Sequence, residues 1–258
     1  MRFMSQCMPD TCSHTDHMIG KTHFEIEQTA VSIVCDTAFL GSVKNAIYDA
    51  RQIIEEKIFD DSFFAITFEP YVPDKRDHPL IQRMCEASVL ANVGPMASVA
   101  GAVSEYAVNK AVEDGCRHII VENGGDIAMY TSDDTVLGIY SGDDRFRNTG
   151  LTIPATGKVT GICSSSGKIG PSVSFGNSGI CTVFSDNVIL ADACATALGN
   201  MVRTGTSEEM SDSCESICSV EGVDGCMCVA NGLVAMCGSV PRLTSAVFED
   251  SDITSVRF

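Results

Sequence analysis

Basic residues are scarce in this 258-residue chain: 17 Lys and Arg stand against 34 Asp and Glu, a formal net charge of −17. Nucleic-acid binding needs clustered cations to neutralise phosphates, so this deficit excludes a general DNA or RNA surface. It speaks equally against docking on an anionic membrane. Long apolar runs are missing too, and nothing in the sequence approaches the roughly 18 apolar residues of a membrane-spanning helix. Met1 to Gly20 carries one Arg and no continuous apolar stretch, so it does not read as a secretory leader, and a cytoplasmic location is expected. No internal repeat or long low-complexity linker is present. What the chain does have is 45% apolar residues, 22 Gly and 13 Cys. A chain of this length buries roughly three quarters of its unfolded surface, enough for one large domain or two small ones. An odd cysteine count without an export signal reads as reduced thiols, and free Cys is often simply a small buried hydrophobe.

Residues 1–22 are polar and Cys/His-bearing and are expected to form a loose tail, with one domain over 23–258. His23 to Asp36 alternates apolar and polar residues as a half-buried strand does. Phe39 to Phe59 switches to helical spacing, with Val43, Ala46, Ile47, Ala50, Ile54 and Ile58 on one face. Phe63 to Phe68 reads as a short strand, and Leu80 to Asn92 as a helix after a Pro-bearing loop. Ala97 to Asp114 is a helix with a small face (Ala97, Ala100, Gly101, Ser104) that admits another backbone closely. Strands are expected near 118–122, 127–130, 135–140, 158–163, 180–184, 226–230, 233–237 and 243–248, with a second Ala-rich helix over Val188 to Val202. Many strands with few, separated helices indicate an α+β fold rather than strict βαβ alternation.

Four constellations carry potential chemistry. Asn123-Gly124-Gly125-Asp126 follows a buried-type strand; paired glycines permit positive φ and leave N–H groups uncovered for a phosphate or ring, although the same residues suit a tight hairpin. Cys163 precedes three hydroxyls, Ser164, Ser165 and Ser166, and then Gly167, with Ser172, Ser174, Gly176, Asn177 and Ser178 beyond. Hydroxyls in a row suit phosphate or ribose oxygens, Cys163 is a candidate nucleophilic thiolate, and a solvated Ser-rich turn is the competing reading. Asp192 and Thr196 lie four apart on a helix, so they share a face and offer a carboxylate and a hydroxyl to a hard cation such as Mg²⁺; the plainer alternative is a helix-dipole Asp and a Thr bonded to its own backbone. Cys7, Cys12, His14 and His17 match no standard zinc spacing, and Cys214/Cys218 with Cys226/Cys228 suit either a soft-metal site or burial on one helix face and one strand face. His23, His78 and His118 look like ordinary strand-start and loop residues.

In this order, the three elements resemble the ApbE-like superfamily, whose best-known members are FAD:protein FMN transferases. The carriers are the small-residue helix followed by Glu122 to Ile127, the Cys163 to Gly167 segment, and Ala191 to Leu198 (ADACATAL), which resembles an Ala-Asp-x-x-Ala-Thr-Ala-Leu metal motif. The resemblance spans about residues 23–245 and is nearest to a short, poorly characterised branch, through Val93 to Met96, VENGGDI, SVSFG and LADACATALGN. It implies antiparallel-rich sheets with Ala/Gly-rich helices packed between or against them. It also implies Mg²⁺ on Asp192 and Thr196, and a flavin (FAD or FMN) or nucleotide diphosphate near Asn123, Gly124, Gly125 and Ser164 to Gly167, with Asp126 orienting ligand or water. Ala100-Gly101 stands where the transferases have Lys-Gly, and no His-x-x-Asp-Pro occurs in the chain, so two elements of the FMN-transfer site are missing. The short branch also suggests an alternative, an accessory role with a protein partner in anaerobic sulfur metabolism through a persulfide on Cys163.

Overall fold

A computed structural model describes residues 5–6, 18–138, 144–146, 148–166 and 179–246. In chain order these form β1 (Ser5–Gln6), β2 (Ile19–Ile26), β3 (Thr29–Asp36), α1 (Leu40–Asp60), α2 (Phe63–Ile66), α3 (Pro79–Ala91), α4 (Val99–Glu113), β4 (Ile119–Asn123), β5 (Asp126–Tyr130), β6 (Thr135–Gly138), β7 (Thr149–Ile153), β8 (Thr160–Ser165), β9 (Ile180–Ser185), α5 (Val188–Met201), α6 (Ser207–Cys218), β10 (Gly225–Ala230), β11 (Leu233–Gly238) and β12 (Arg242–Ser245). The expected α+β class holds. Every described strand pair is antiparallel, in an eight-stranded sheet ordered β11-β10-β9-β8-β5-β4-β3-β2 and a four-stranded sheet ordered β1-β6-β7-β12.

The large sheet is buried on both faces, which is why its inner strands read as nearly continuous apolar runs. Alternate residues Ile33, Val121, Ala128, Cys163, Val183 and Cys226 face the helices, in one core with Ile47, Met84, Val108 and Leu198. Their neighbours Val34, Ile120, Ile127, Ile162, Phe184 and Met227 face the other way, in a second core with Leu137, Leu151 and Ile153 of the small sheet. Period-2 geometry thus divides one set of strands between two cores and yields three layers. Among the described residues no single helix is long and apolar enough to cross a membrane; the apolar pair α3 and Pro95–Glu113 is bent by 105°, and it supplies much of the helix-side core.

Three sequence expectations change. His23 to Asp36 is part of a hairpin rather than one strand: β2 already begins at Ile19, inside the expected tail, and the chain reverses at Glu27 (φ 48°). Phe63 to Phe68 is not a strand. Its first residues form the single-turn helix α2, where the Asp61 carboxylate accepts the Phe63 N–H at 3.0 Å. Phe64 alone of the run is fully buried, while Phe63, Ile66 and Phe68 stay exposed, so the run has helical rather than alternating burial. Finally, α6 and β7 lie outside the elements that the spacing predicts; α6 is short and charged at its start, and β7 carries Gly150, a poor strand former, within it.

Candidate functional site

The small-residue faces bring α4, α5 and β8 into near-backbone contact. A Cβ on Gly101 of α4 would lie 2.8 Å from Asp192 Cβ and 2.9 Å from the Val188 carbonyl, and one on Gly161 of β8 would lie 2.7 Å from Val188 Cα. Only glycine fits at either place. The consequence is that Asp192, in the second turn of α5, is carried against the first turn of α4, where its Oδ2 accepts the Gly101 N–H at 2.7 Å. Ser98, which precedes α4, supplies no cap, because its hydroxyl donates to the Pro95 carbonyl at 2.9 Å. Asp192 therefore acts as an N-cap delivered from a different helix, in the position where orphan amides and the helix dipole favour negative charge.

Two other motifs converge on the same turn. Asn123 Nδ2 donates to the Ala100 carbonyl at 3.4 Å, and Thr196 Oγ1 donates to the Ala97 carbonyl at 3.5 Å. Gly124 and Gly125 join β4 to β5 with φ of 68° and 116°, and nothing lies within 4 Å of where a Gly124 Cβ would be. The Gly-Gly element is thus a tight hairpin in which Gly124 leaves open backbone and Gly125 is buried. Asp126 follows it and is nearly buried; its Oδ1 accepts the Ser164 N–H at 3.1 Å. Burial pushes the Asp126 carboxyl up to about 7, against the Ser164 hydrogen bond, which favours the charged form. Asp192 is pushed well above the usual carboxylate range, first by burial and then by the Asp126 charge, with the Gly101 and Ala100 amides opposing. Two mutually repelling carboxylates therefore share one buried junction.

Cys163 and the serines depart from expectation. Cys163 lies within β8, fully buried, with its thiol toward the Val188 carbonyl at 3.6 Å. Burial, then the Asp126 and Asp192 charges, raise it well above the normal thiol range, the reverse of what a nucleophilic thiolate requires. Ser164, Ser165 and Ser166 do not line up as hydroxyls in a row, because β8 continues to Ser165 and its side chains alternate. Ser164 Oγ donates to Thr182 Oγ1 at 3.0 Å, Ser166 Oγ donates to the Gly179 carbonyl at 2.8 Å, and Ser165 Oγ is buried without a partner. Gly167, Ser172, Ser174, Gly176, Asn177 and Ser178 lie outside the described residues, as do Cys7, Cys12, His14 and His17. Among the described residues no group of three or more His, Cys, Asp or Glu is arranged to hold a metal ion, and this includes the Cys214, Cys218, Cys226 and Cys228 set.

A polar network around the buried Glu105 was not anticipated. Glu105 of α4 accepts the Val188 N–H at 2.8 Å and the Ile189 N–H at 3.3 Å, capping α5, and pairs with Arg83 of α3. Arg83 also reaches Asn187 Oδ1 at 3.3 Å, and Asn187 itself caps α5 at Leu190. α4 and α5 thus cap one another through Glu105 and Asp192. A Glu following the small and apolar start of α4 (VAGAVSE) was the signal available for this in the sequence.

The family described as AbpE bacteria matches residues 12–216. A UPF0280 protein of Methanosarcina barkeri is 40% identical over 227 residues, covering 88% of this chain and 89% of that protein. The chain belongs to the UPF0280 family. Another family member, from Methanothrix thermoacetophila, is 40% identical over 228 residues and is covered to 95%. Among solved structures, the flavin transferase ApbE of Vibrio cholerae superposes with a TM-score of 0.56 at 10% identity, over 86% of this chain and 98% of that one. The apo flavinyl transferase ApbE of Pseudomonas stutzeri gives 0.54 at 10% identity, over 85% and 94%. The UPF0280 chain therefore has the ApbE-like fold.

Proposed function

We propose that this UPF0280 protein binds a flavin nucleotide, or a related nucleoside diphosphate, together with Mg²⁺ at the junction of α4, α5 and the β4–β5 turn. One observation carries the reading: Asn123 of β4 and Asp192 and Thr196 of α5 meet around residues 97–101, at the start of α4, beside the open Gly124 backbone. The donor set suits a hard cation. Carboxylate and hydroxyl oxygens are the ligands Mg²⁺ takes, and a carboxylate that accepts amide hydrogens still has lone pairs to offer. Two buried carboxylates without a cation between them are also costly, which a divalent ion relieves.

Asp192 and Thr196 would hold the ion, with Asp126 facing it from β5. When bound, Mg²⁺ neutralises pyrophosphate charge and supplies Lewis acidity at phosphorus. The chain itself contributes the exposed backbone at Gly124, which allows close approach of phosphate oxygens. The flavin class is supported by the fold shared with flavin transferases. Binding rather than FMN transfer is the reading, because the Lys-Gly and His-x-x-Asp-Pro elements are missing from the sequence. The alternative role in sulfur metabolism through a Cys163 persulfide draws no support from a thiol buried at 0% exposure.

Isothermal titration calorimetry with FAD, FMN and ATP, each with and without Mg²⁺, tests the proposal. At least one nucleotide is expected to bind only in the presence of Mg²⁺. Asp192→Asn, which keeps a cap acceptor for α4, should weaken that binding at least about tenfold, the worth of one charged contact. Absence of heat with all three, or unchanged binding in the variant, rejects the reading.

A further inference from the structure

The helix-facing side of the large sheet carries a concentration of thiols outside the nucleotide junction. Cys226 of β10 stands directly opposite Cys237 of β11, and Cys228 directly opposite Cys181 of β9. α6 lies over this face and adds Cys214 and Cys218, one helical turn apart. Cys218 Sγ is 3.6 Å from Cys226 Sγ, Cys226 donates to the Cys214 carbonyl at 3.4 Å, and Cys218 and Cys237 both pack, partly buried, against the helix-side core. All eleven described cysteines are free thiols, and nine of them are buried; the two with solvent access are Cys218 and Cys237. That pair lies where the end of α6 crosses the outermost strand β11, against Gly238, whose added Cβ would lie 3.2 Å from Cys218 Sγ.

We propose that Cys218 and Cys237 form a dithiol site that reduces small disulfides by thiol–disulfide exchange and is itself converted to a Cys218–Cys237 disulfide. In the first step the Cys237 thiolate attacks one sulfur of the small disulfide, breaking its S–S bond, forming a mixed disulfide and releasing one half as thiolate. In the second, the Cys218 thiolate attacks the Cys237 sulfur and expels the other half. The two protons of the protein thiols pass to the two leaving thiolates, so the small disulfide gains two electrons and the protein loses two. Cys237 is assigned the first attack and Cys218 the second because the Cys218 sulfur is hemmed in by Cys226, 3.6 Å away, and by the Gly238 backbone. Access separates this pair from its neighbours. The opposed Cys181 and Cys228, with sulfurs 3.2 Å apart, have the closer contact but are sealed in the core.

The test treats the full-length reduced protein with hydroxyethyl disulfide under native conditions and follows intact mass, released thiol and non-reduced peptide maps. The expected product has lost two hydrogens, has released both halves of the reagent as free thiol, and contains a Cys218–Cys237 cross-linked peptide. Cys218→Ser should stop at a stable mixed disulfide on Cys237, and Cys237→Ser should give no internal cross-link, with circular dichroism verifying that both variants fold. A persistent adduct on the wild-type chain, a cross-link mapping to Cys226 or any other thiol, or an unchanged mass overturns the proposal.

Discussion

At the scale of single residues, the decisive positions are those where one atom more would not fit. Gly101 is the clearest, since the side chain it lacks would occupy space already taken by Asp192 and the Val188 carbonyl. Gly101→Ala is expected to destabilise the protein by about 1–3 kcal/mol through forced separation of α4 and α5, measured as a lower urea midpoint with unchanged slope. It should also weaken any Mg²⁺-dependent nucleotide binding, because Asp192 moves with the displaced helix. Cys163 teaches the same lesson in the opposite direction. A thiol beside a Gly-Ser motif resembles a reactive group in a one-dimensional reading, but its exposure depends on which face of β8 it occupies, and that face is covered by α5.

At the scale of elements, stability rests on helix ends capped from elsewhere. Glu105 satisfies two amides at the start of α5 and holds the half-exposed Arg83. Glu105→Ala should therefore cost about 2–4 kcal/mol in chemical denaturation, while Glu105→Gln, which keeps an acceptor, should cost clearly less. α6 shows a capping arrangement that does follow from local sequence: Thr206 accepts the Glu209 N–H at 3.3 Å, and the Glu209 carboxylate reaches back to Thr204 and Gly205. Desolvation acts to raise the Glu209 carboxyl, but the hydrogen bonds from Thr204 and Gly205 outweigh it and hold the group down at about 2. A depressed folded-state value means the contribution is complete above the ordinary value of 4.5 and is lost as pH falls from there toward about 2. Acid unfolding of Glu209→Gln should accordingly be less steep than wild type across that window, with little difference between them in pH dependence above it.

At the scale of the whole molecule, the excess of negative charge acts as a diffuse internal repulsion. Thermal stability is expected to rise as NaCl increases from about 10 to 150 mM, over which the screening length shortens from roughly 30 to 8 Å; a fall in Tm would show that attractive surface pairs dominate instead. The layered architecture was largely legible beforehand. Short apolar runs in the strands after residue 118, the helical spacing around Val43 to Ile58, and the two Ala-rich helices each carry a local signal that burial then obeys. Phe63 to Phe68 misled because six residues are too few to distinguish alternation from one helical turn, and only the exposure of Phe63, Ile66 and Phe68 separates the two.

The sequence by itself determined most of the element types, the α+β character, the excess of negative charge and the three segments from which the candidate site is built, because each depends on local periodicity, composition or backbone freedom. Only the tertiary structure decided what those segments do to one another. It set Asp192 as the cap of α4 rather than of its own helix, turned the Ser164 and Ser166 hydroxyls away from a common ligand, buried Cys163, and left Cys218 and Cys237 as the accessible thiols among the described residues. The physical reason is distance along the chain. Gly101 and Asp192 are 91 residues apart, and the fit between a missing Cβ and an arriving carboxylate exists only once two helices have packed.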